Sequence, residues 1–116
     1  MIAGIAAALS GMQAGGRMLG VGANNIANAQ TGGFIRTRAL PQELSPGGVT
    51  VILDKDERPG PQIFSHEDPL MLRQGSNVDL GEEIISQLQA VNLIEANIAS
   101  ARIQDKVLGS LLDITE

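Results

Sequence analysis

His66 is the one histidine of this 116-residue chain, and it stands in Ser65-His66-Glu67-Asp68. An imidazole beside two carboxylates could act as a general base or hold a metal ion. No second nitrogen ligand lies at helical or strand spacing from it, cysteine is absent, and Pro69 marks the stretch as a solvated loop. The run Gly15-Gly16-Arg17-Met18-Leu19-Gly20-Val21-Gly22 has the glycines of a dinucleotide fingerprint, but no strand precedes it and it falls inside a helical repeat. Glu82 and Glu83 read as partners of a helix dipole rather than as a catalytic pair. No nucleophile, base and orienting group can be assembled. The expectation is a chain with no catalytic, cofactor-binding or metal-binding residues, and not an enzyme.

One cluster remains unexplained. Asn24-Asn25-Ile26-Ala27-Asn28-Ala29-Gln30-Thr31-Gly32-Gly33-Phe34 places three asparagines within five residues at the end of an apolar run. Asparagine is a poor helix-interior residue because its amide competes for nearby backbone groups. One reading is a frayed helix end. The other is that Asn24, Asn25 and Asn28 hydrogen-bond to neighbouring helices and act as register marks, since a packed amide is costly unless paired.

The elements that carry these residues can be read from periodicity. Ile2, Ile5, Leu9, Met12, Gly16, Leu19, Ala23 and Ile26 alternate by three and four, the repeat of a helix packing along a left-handed seam. A small-residue stripe, Ala3, Ala7, Gly11 and Gly15, runs beside it and would admit another backbone closely. The helix should end near Asn28–Gln30, with Thr31-Gly32-Gly33 supplying a left-handed cap and Phe34 folding back. The middle holds all five prolines. There Val49-Thr50-Val51-Ile52-Leu53 reads as a strand, Asp54–Pro61 as a turn and Gln62-Ile63-Phe64 as the returning strand of a hairpin. From Ser76-Asn77-Val78-Asp79-Leu80 a second helix opens with cap-like spacing at Ser76 or Asp79. Its seam runs through Ile84, Gln87, Val91, Ile94, Ile98, Ala101, Asp105, Leu108 and Leu112, widened by Ile85, Leu88 and Leu111. The predicted fold is mainly α: two long coiled-coil-forming helices as an antiparallel hairpin, with a small β-hairpin between them. It divides into 1–35, 36–75 and 76–116 within one structural domain.

Composition narrows the partners. With net charge −5 and no basic cluster, nucleic acid is not expected. Arg17 is the sole charge among the first 35 residues, so the remainder carries −6. Such an uncharged surface is either a core helix or a helix buried on assembly. Ser10, Gln13 and Arg17 interrupt any membrane span, and no basic segment introduces Met1–Gly11 as a cleaved signal. Trp and Tyr are absent and only Phe34 and Phe64 are aromatic. Rings bury roughly 150–250 Å² each, so helix seams suit this composition better than a thick globule.

Ala8-Leu9-Ser10-Gly11-Met12-Gln13-Ala14, then Ala23-Asn24-Asn25-Ile26-Ala27-Asn28 with Thr31, Gly33 and Phe34, resembles the N-terminal signature of bacterial flagellar axial proteins, the rod, hook and hook-associated subunits. Ser76-Asn77-Val78-Asp79-Leu80 with Glu82-Glu83, then Glu95-Ala96-Asn97 and Leu108-Gly109 with Leu111-Leu112-Asp113-Ile114, is similar to the family's last helix. The small middle looks like that of the short rod subunits, whereas the last of these stretches is closer to the longer rod and hook type. Ile94 stands where the family has a tyrosine. The resemblance implies a building block of the periplasmic rod of the basal body, exported unfolded without a cleaved signal through the flagellar type III apparatus. Its partners would be further copies of itself and other axial proteins. On that reading the subunit interface comprises Ile2, Ile5, Leu9, Met12, Leu19, Asn24, Asn25, Ile26, Asn28, Thr31, Gly33 and Phe34 from the first signature. From the second it comprises Asn77, Asp79, Leu80, Ile84, Val91, Ile94, Asn97, Ile98, Leu108 and Leu112. The alternatives are a helical-hairpin adaptor or secreted protein that binds one partner helix, and a small ligand- or metal-binding domain centred on His66.

Overall fold

Six glycines interrupt the first helix, α1 (Ile2–Ala27), each costing about 1 kcal/mol of helix propensity relative to alanine. Such a helix needs a neighbour. In the computed structural model, which describes residues 2–115, that neighbour is α2 (Leu80–Thr115), and four of the six glycines are where the two meet. Gly11 lies against Asn97, Gly22 against Gln87 and Glu83, and Gly4 against Gln104. At Gly15 an added β-carbon would collide with Ile94 and sit 3.0 Å from the Ala90 carbonyl oxygen. The buried face of α1 is thus Ala8, Gly11, Ala14, Gly15, Gly22 and Asn25, while α2 buries Ala90 and Glu83. Of the expected small-residue stripe, Gly11 and Gly15 lie in this contact and Ala3 stays exposed.

Between the helices run β1 (Thr37–Glu43), β2 (Val49–Lys55), β3 (Gln62–Phe64) and β4 (Leu72–Gln74), forming two separate two-stranded antiparallel sheets. β1 pairs with β2 in the register Thr37 with Lys55 through Glu43 with Val49. β3 pairs with β4, Phe64 opposite Leu72. This corrects the predicted pairing of Val49–Leu53 with Gln62–Phe64. The tight turn is Pro46-Gly47-Gly48, where Leu44 N donates to Gly48 O at 3.0 Å, and it sends β2 back along β1. Pro41 conceals β1 in the sequence, yet it sits on a two-stranded ribbon where one backbone edge needs no donor. The β1–β2 ribbon packs on α1, and Ser10 fastens it: its hydroxyl donates to Ala7 O at 2.6 Å and accepts from Val49 N at 3.0 Å.

The result is long and thin, 80 × 22 × 16 Å, with a radius of gyration of 20.4 Å against about 13 Å for a compact chain of this length. Its accessible surface is 8069 Å², where a compact monomer of this mass shows about 6,000 Å². Among the described residues the buried hydrophobic set is Ala8, Ala14, Val51 and Ala90, all small or branched at Cβ. The helices make contact through what they lack.

Gly15→Val should therefore lower unfolding free energy by about 1–3 kcal/mol through overpacking. Gly16→Ala, at a position with nothing within 4 Å, should raise it by about 0.5–1 kcal/mol. Urea unfolding of the pair checks this, and equal effects would remove the glycine contact as a determinant of the fold.

Candidate assembly surfaces and the polar joint

Where the helices, β1 and the connecting loops converge, the chain is held by polar side chains rather than by apolar bulk. Asn25 is 1% exposed, and its amide acts as one residue of a strand: Nδ2 donates to Thr37 O at 2.7 Å and Oδ1 accepts from Thr37 N at 3.0 Å. That exchange covers the start of the β1 edge. Asn77 does the same for the loops. Its Oδ1 accepts from Arg36 N at 2.6 Å, and its Nδ2 donates to Asp56 O at 2.6 Å and Arg58 O at 2.7 Å. Its own N–H donates to Phe34 O at 3.2 Å.

Arg36 lies between them, 5% exposed, with its guanidinium turned to the start of α2. Nη1 donates to Glu82 Oε2, and Nη2 stands 2.8 Å from Oε1 of Glu83, which is 2% exposed. The Glu83 contact is an ion pair out of hydrogen-bond alignment, since neither Glu83 Oε1 nor Arg36 Nε makes a hydrogen bond. A buried carboxylate needs a cation close by, because desolvation otherwise costs several kcal/mol. The two glutamates expected to serve only the helix dipole thus also hold Arg36. Asp79 is the helix cap, its Oδ1 accepting from Glu82 N at 3.0 Å.

Asp56, 4% exposed, is gripped by Arg58: Nε lies 2.9 Å from Oδ1 and 3.0 Å from Oδ2, and Arg58 N donates to Oδ1 at 3.2 Å. The Arg58 side-chain bonds hold the Asp56 carboxyl well below its ordinary value of 3.8, against the upward push of burial. The same bonds raise Arg58.

The asparagine cluster divides accordingly. Asn25 is sealed within its own chain, with both ends of its amide used by Thr37. Asn28 is half-buried and turns back on its own helix, donating to Asn24 O at 2.9 Å and to Asn24 Oδ1 at 3.2 Å, while its Oδ1 accepts from Thr31 Oγ1 at 3.2 Å. Asn24 and Thr31 are exposed. α1 ends at Ala27, and the reversal passes through Gly33 at φ +73°, a left-handed conformation that favours glycine. Gly33 is exposed and its N–H donates to Gln74 O at 2.9 Å, with Phe34 half-buried behind it.

The predicted seams fall partly on the outside. Ile2 is 84% exposed, Leu9 51% and Leu112 67%. Ile5, Leu80, Ile84 and Val91 are exposed as well, with Ile85 and Leu88 beside them. Met12, Leu19, Ile26, Ile98 and Leu108 are half-buried, and Ile94 and Asn97 turn inward onto Gly15 and Gly11. Arg36, Asp56 and Arg58 went unnoticed in the sequence. The one signal available was an arginine beside a turn and an acidic pair at a helix start, too common a combination to single out. His66 is exposed on the β3–β4 connection. Among the described residues no group of His, Cys, Asp and Glu could hold a metal ion, and no helix is long and apolar enough to cross a membrane.

No protein-family model matches the chain, and no curated protein is significantly similar to it.

Two outcomes follow for the joint. Asn25→Ala, which strands a buried N–H and carbonyl at Thr37, should cost about 2 kcal/mol or more in urea unfolding, whereas Asn24→Ala at an exposed site should cost under about 0.5 kcal/mol. Because the folded value of Asp56 is depressed, its contribution is present above pH 4 and is lost as acid protonates the folded carboxyl. Thermal unfolding of the wild type should fall as pH drops below about 4. Asp56→Asn should be less stable at neutral pH and show a flatter decline. Parallel acid limbs would remove Asp56 from that role.

Proposed function

We propose that this chain is a structural subunit of the bacterial flagellar rod, a non-enzymatic element that polymerises helically through its first and last helices to build the drive shaft. The observation that carries the reading is the apolar stripe left on the outside of both helices, Ile2, Ile5 and Leu9 on α1 and Ile84, Leu88, Val91 and Leu112 on α2, on a body 80 Å long. Exposed large aliphatic side chains repeated along both helices are the mark of a surface that another chain covers. The surface excess of about 2,000 Å² over a compact monomer is more than two standard footprints of roughly 800 Å² per partner. A subunit touching several copies uses such an excess, and contacts that do not close generate a helical polymer.

The two helices, in this reading, form an antiparallel coiled-coil hairpin. The order of the glycine contacts supports it, with Gly4, Gly11 and Gly22 meeting Gln104, Asn97 and Gln87 in turn. The resemblance of NNIANAQTGGF and SNVDL to axial-protein motifs supports the flagellar assignment. The structure adds a job for those motifs, since Asn25 and Asn77 bond the backbone at one joint. Other axial proteins and the flagellar export apparatus are the further partners of this reading, and the periplasmic rod its location.

Leu9→Glu and Leu112→Glu, at exposed positions, should leave urea unfolding within about 0.5 kcal/mol of wild type yet abolish both polymerisation and swimming in complemented cells. A defined heterodimer in sedimentation would favour an adaptor instead. Intact rods in cells lacking the chain would end the proposal.

A further inference from the structure

One cavity gathers hydrogen-bond donors and no acid. It measures about 320 Å³ and lies between the base of the β3–β4 hairpin and the turn that follows α1. Gln30 comes from that turn, His66 and Arg73 from the hairpin, and Ser76 from the connection into α2, with Pro61 and Ile63 as an apolar wall. Arg36, Arg38 and Arg58 form the ion pairs among the described residues, and Arg73 takes part in none of them. The side-chain hydrogen bonds of this region run between other groups, so the donors of Arg73, His66 and Gln30 are unused among the described residues. Those three side chains stand exposed at the rim. Ser76 is 8% exposed and lies deeper. Its Oγ accepts from Val78 N at 3.2 Å, and its hydroxyl proton has no acceptor among the described residues.

The walls are held in place by the main chain. Gly75 N donates to Pro61 O at 2.7 Å and Gly33 N to Gln74 O at 2.9 Å, so the hairpin base is tied both to itself and to the turn after α1. Glu67 and Asp68 follow His66 in sequence, yet neither lines the cavity, and Asp68 Oδ1 is turned to Leu70 N at 2.9 Å. Donors that converge without an acceptor suit a guest that only accepts. A guanidinium meets an oxyanion through two parallel N–H bonds, and an imidazole carries a ring N–H in either charge state. Donors from four side chains match the three terminal oxygens of a phosphoryl group better than the planar pair of a carboxylate. We infer that this cavity binds a phosphoryl oxyanion, with Arg73 as its principal ligand and His66, Gln30 and Ser76 completing the shell. The chain as a whole, at net charge −5, does not attract anions, so the attraction is local. At physiological salt charges beyond about 8 Å are largely screened, which leaves the cavity's own basic side chains to act. A bound anion would bridge the hairpin and the end of α1.

The site is independent of whether the chain assembles, and the free full-length protein tests it. Isotopically labelled protein is titrated with inorganic phosphate, phenyl phosphate and acetate at constant ionic strength, and amide shifts are followed by NMR. Phosphate should give saturable shifts at Arg73, Gly75 and Ser76, and acetate should bind more weakly. Arg73→Ala should raise the phosphate dissociation constant at least about tenfold, the loss of a charge-assisted bond, with an unchanged unfolding midpoint in phosphate-free buffer. Arg102→Ala, at another exposed arginine on α2, should leave that constant unchanged. Phenyl phosphate binding more tightly than inorganic phosphate would identify a monoester seated on Pro61 and Ile63, and equal binding the free ion. Shifts that do not saturate, shifts of equal size at Arg17 and Arg102, or wild-type affinity in Arg73→Ala would overturn the site. Acetate binding as tightly as phosphate would overturn the phosphoryl assignment.

Discussion

The amide of Asn25 and the main chain of Thr37 exchange two hydrogen bonds, and that exchange fixes the end of α1 against the start of β1. A side-chain amide offers the same donor and acceptor as a peptide group, so one asparagine at the end of α1 serves as a one-residue strand beside β1. Asn77 repeats the device from the far side of the chain, tying Arg36, Asp56 and Arg58 through their backbones. Where the buried hydrophobic residues among those described are three alanines and a valine, apolar burial does not fix the geometry of this joint. Directional bonds do, and Arg36 with its two glutamates fills the charge balance beneath them.

That division of labour separates two kinds of surface. The inner face of α1 is small and notched, and Gln87, Ile94, Asn97 and Gln104 of α2 enter those notches. The large aliphatic side chains that would ordinarily make a core are displayed along the outside instead. A protein that turns its small residues inward and its bulky ones outward forgoes much of the apolar burial that ordinarily stabilises a core, where one fully buried leucine is worth about 1.5–3 kcal/mol.

How much of this was legible in the sequence depends on the range of the interaction. The two long helices, the Asp79 cap and the glycine reversal at Gly33 are local, and their signals lie within a few residues of where they act. The heptad of Ile2 through Ile26 was visible too, but periodicity reports that a stripe exists and not which way it faces. Here the adjacent glycine stripe faces the partner helix, because only it allows Asn97 and Ile94 to enter. Strand pairing was misread because Pro41 demotes β1 on propensity, while the pairing is decided by the Pro46-Gly47-Gly48 turn. The joint was the least legible part. Asn25 and Thr37, Asn77 and Arg36, and Arg36 and Glu83 meet across 12, 41 and 47 positions, and nothing in either neighbourhood names the other.

The order of the glycine notches also grades the length of chain that each contact closes. Gly22 meets Gln87, Gly15 meets Ile94, Gly11 meets Asn97 and Gly4 meets Gln104, so the span of chain enclosed by each contact grows steadily with distance from the joint. Bringing the outermost pair together first would close the longest loop for a single small contact. Once the joint has formed, each further pair closes only a few residues more. Loop-closure entropy therefore opposes these contacts least beside the asparagine joint and most at the open end.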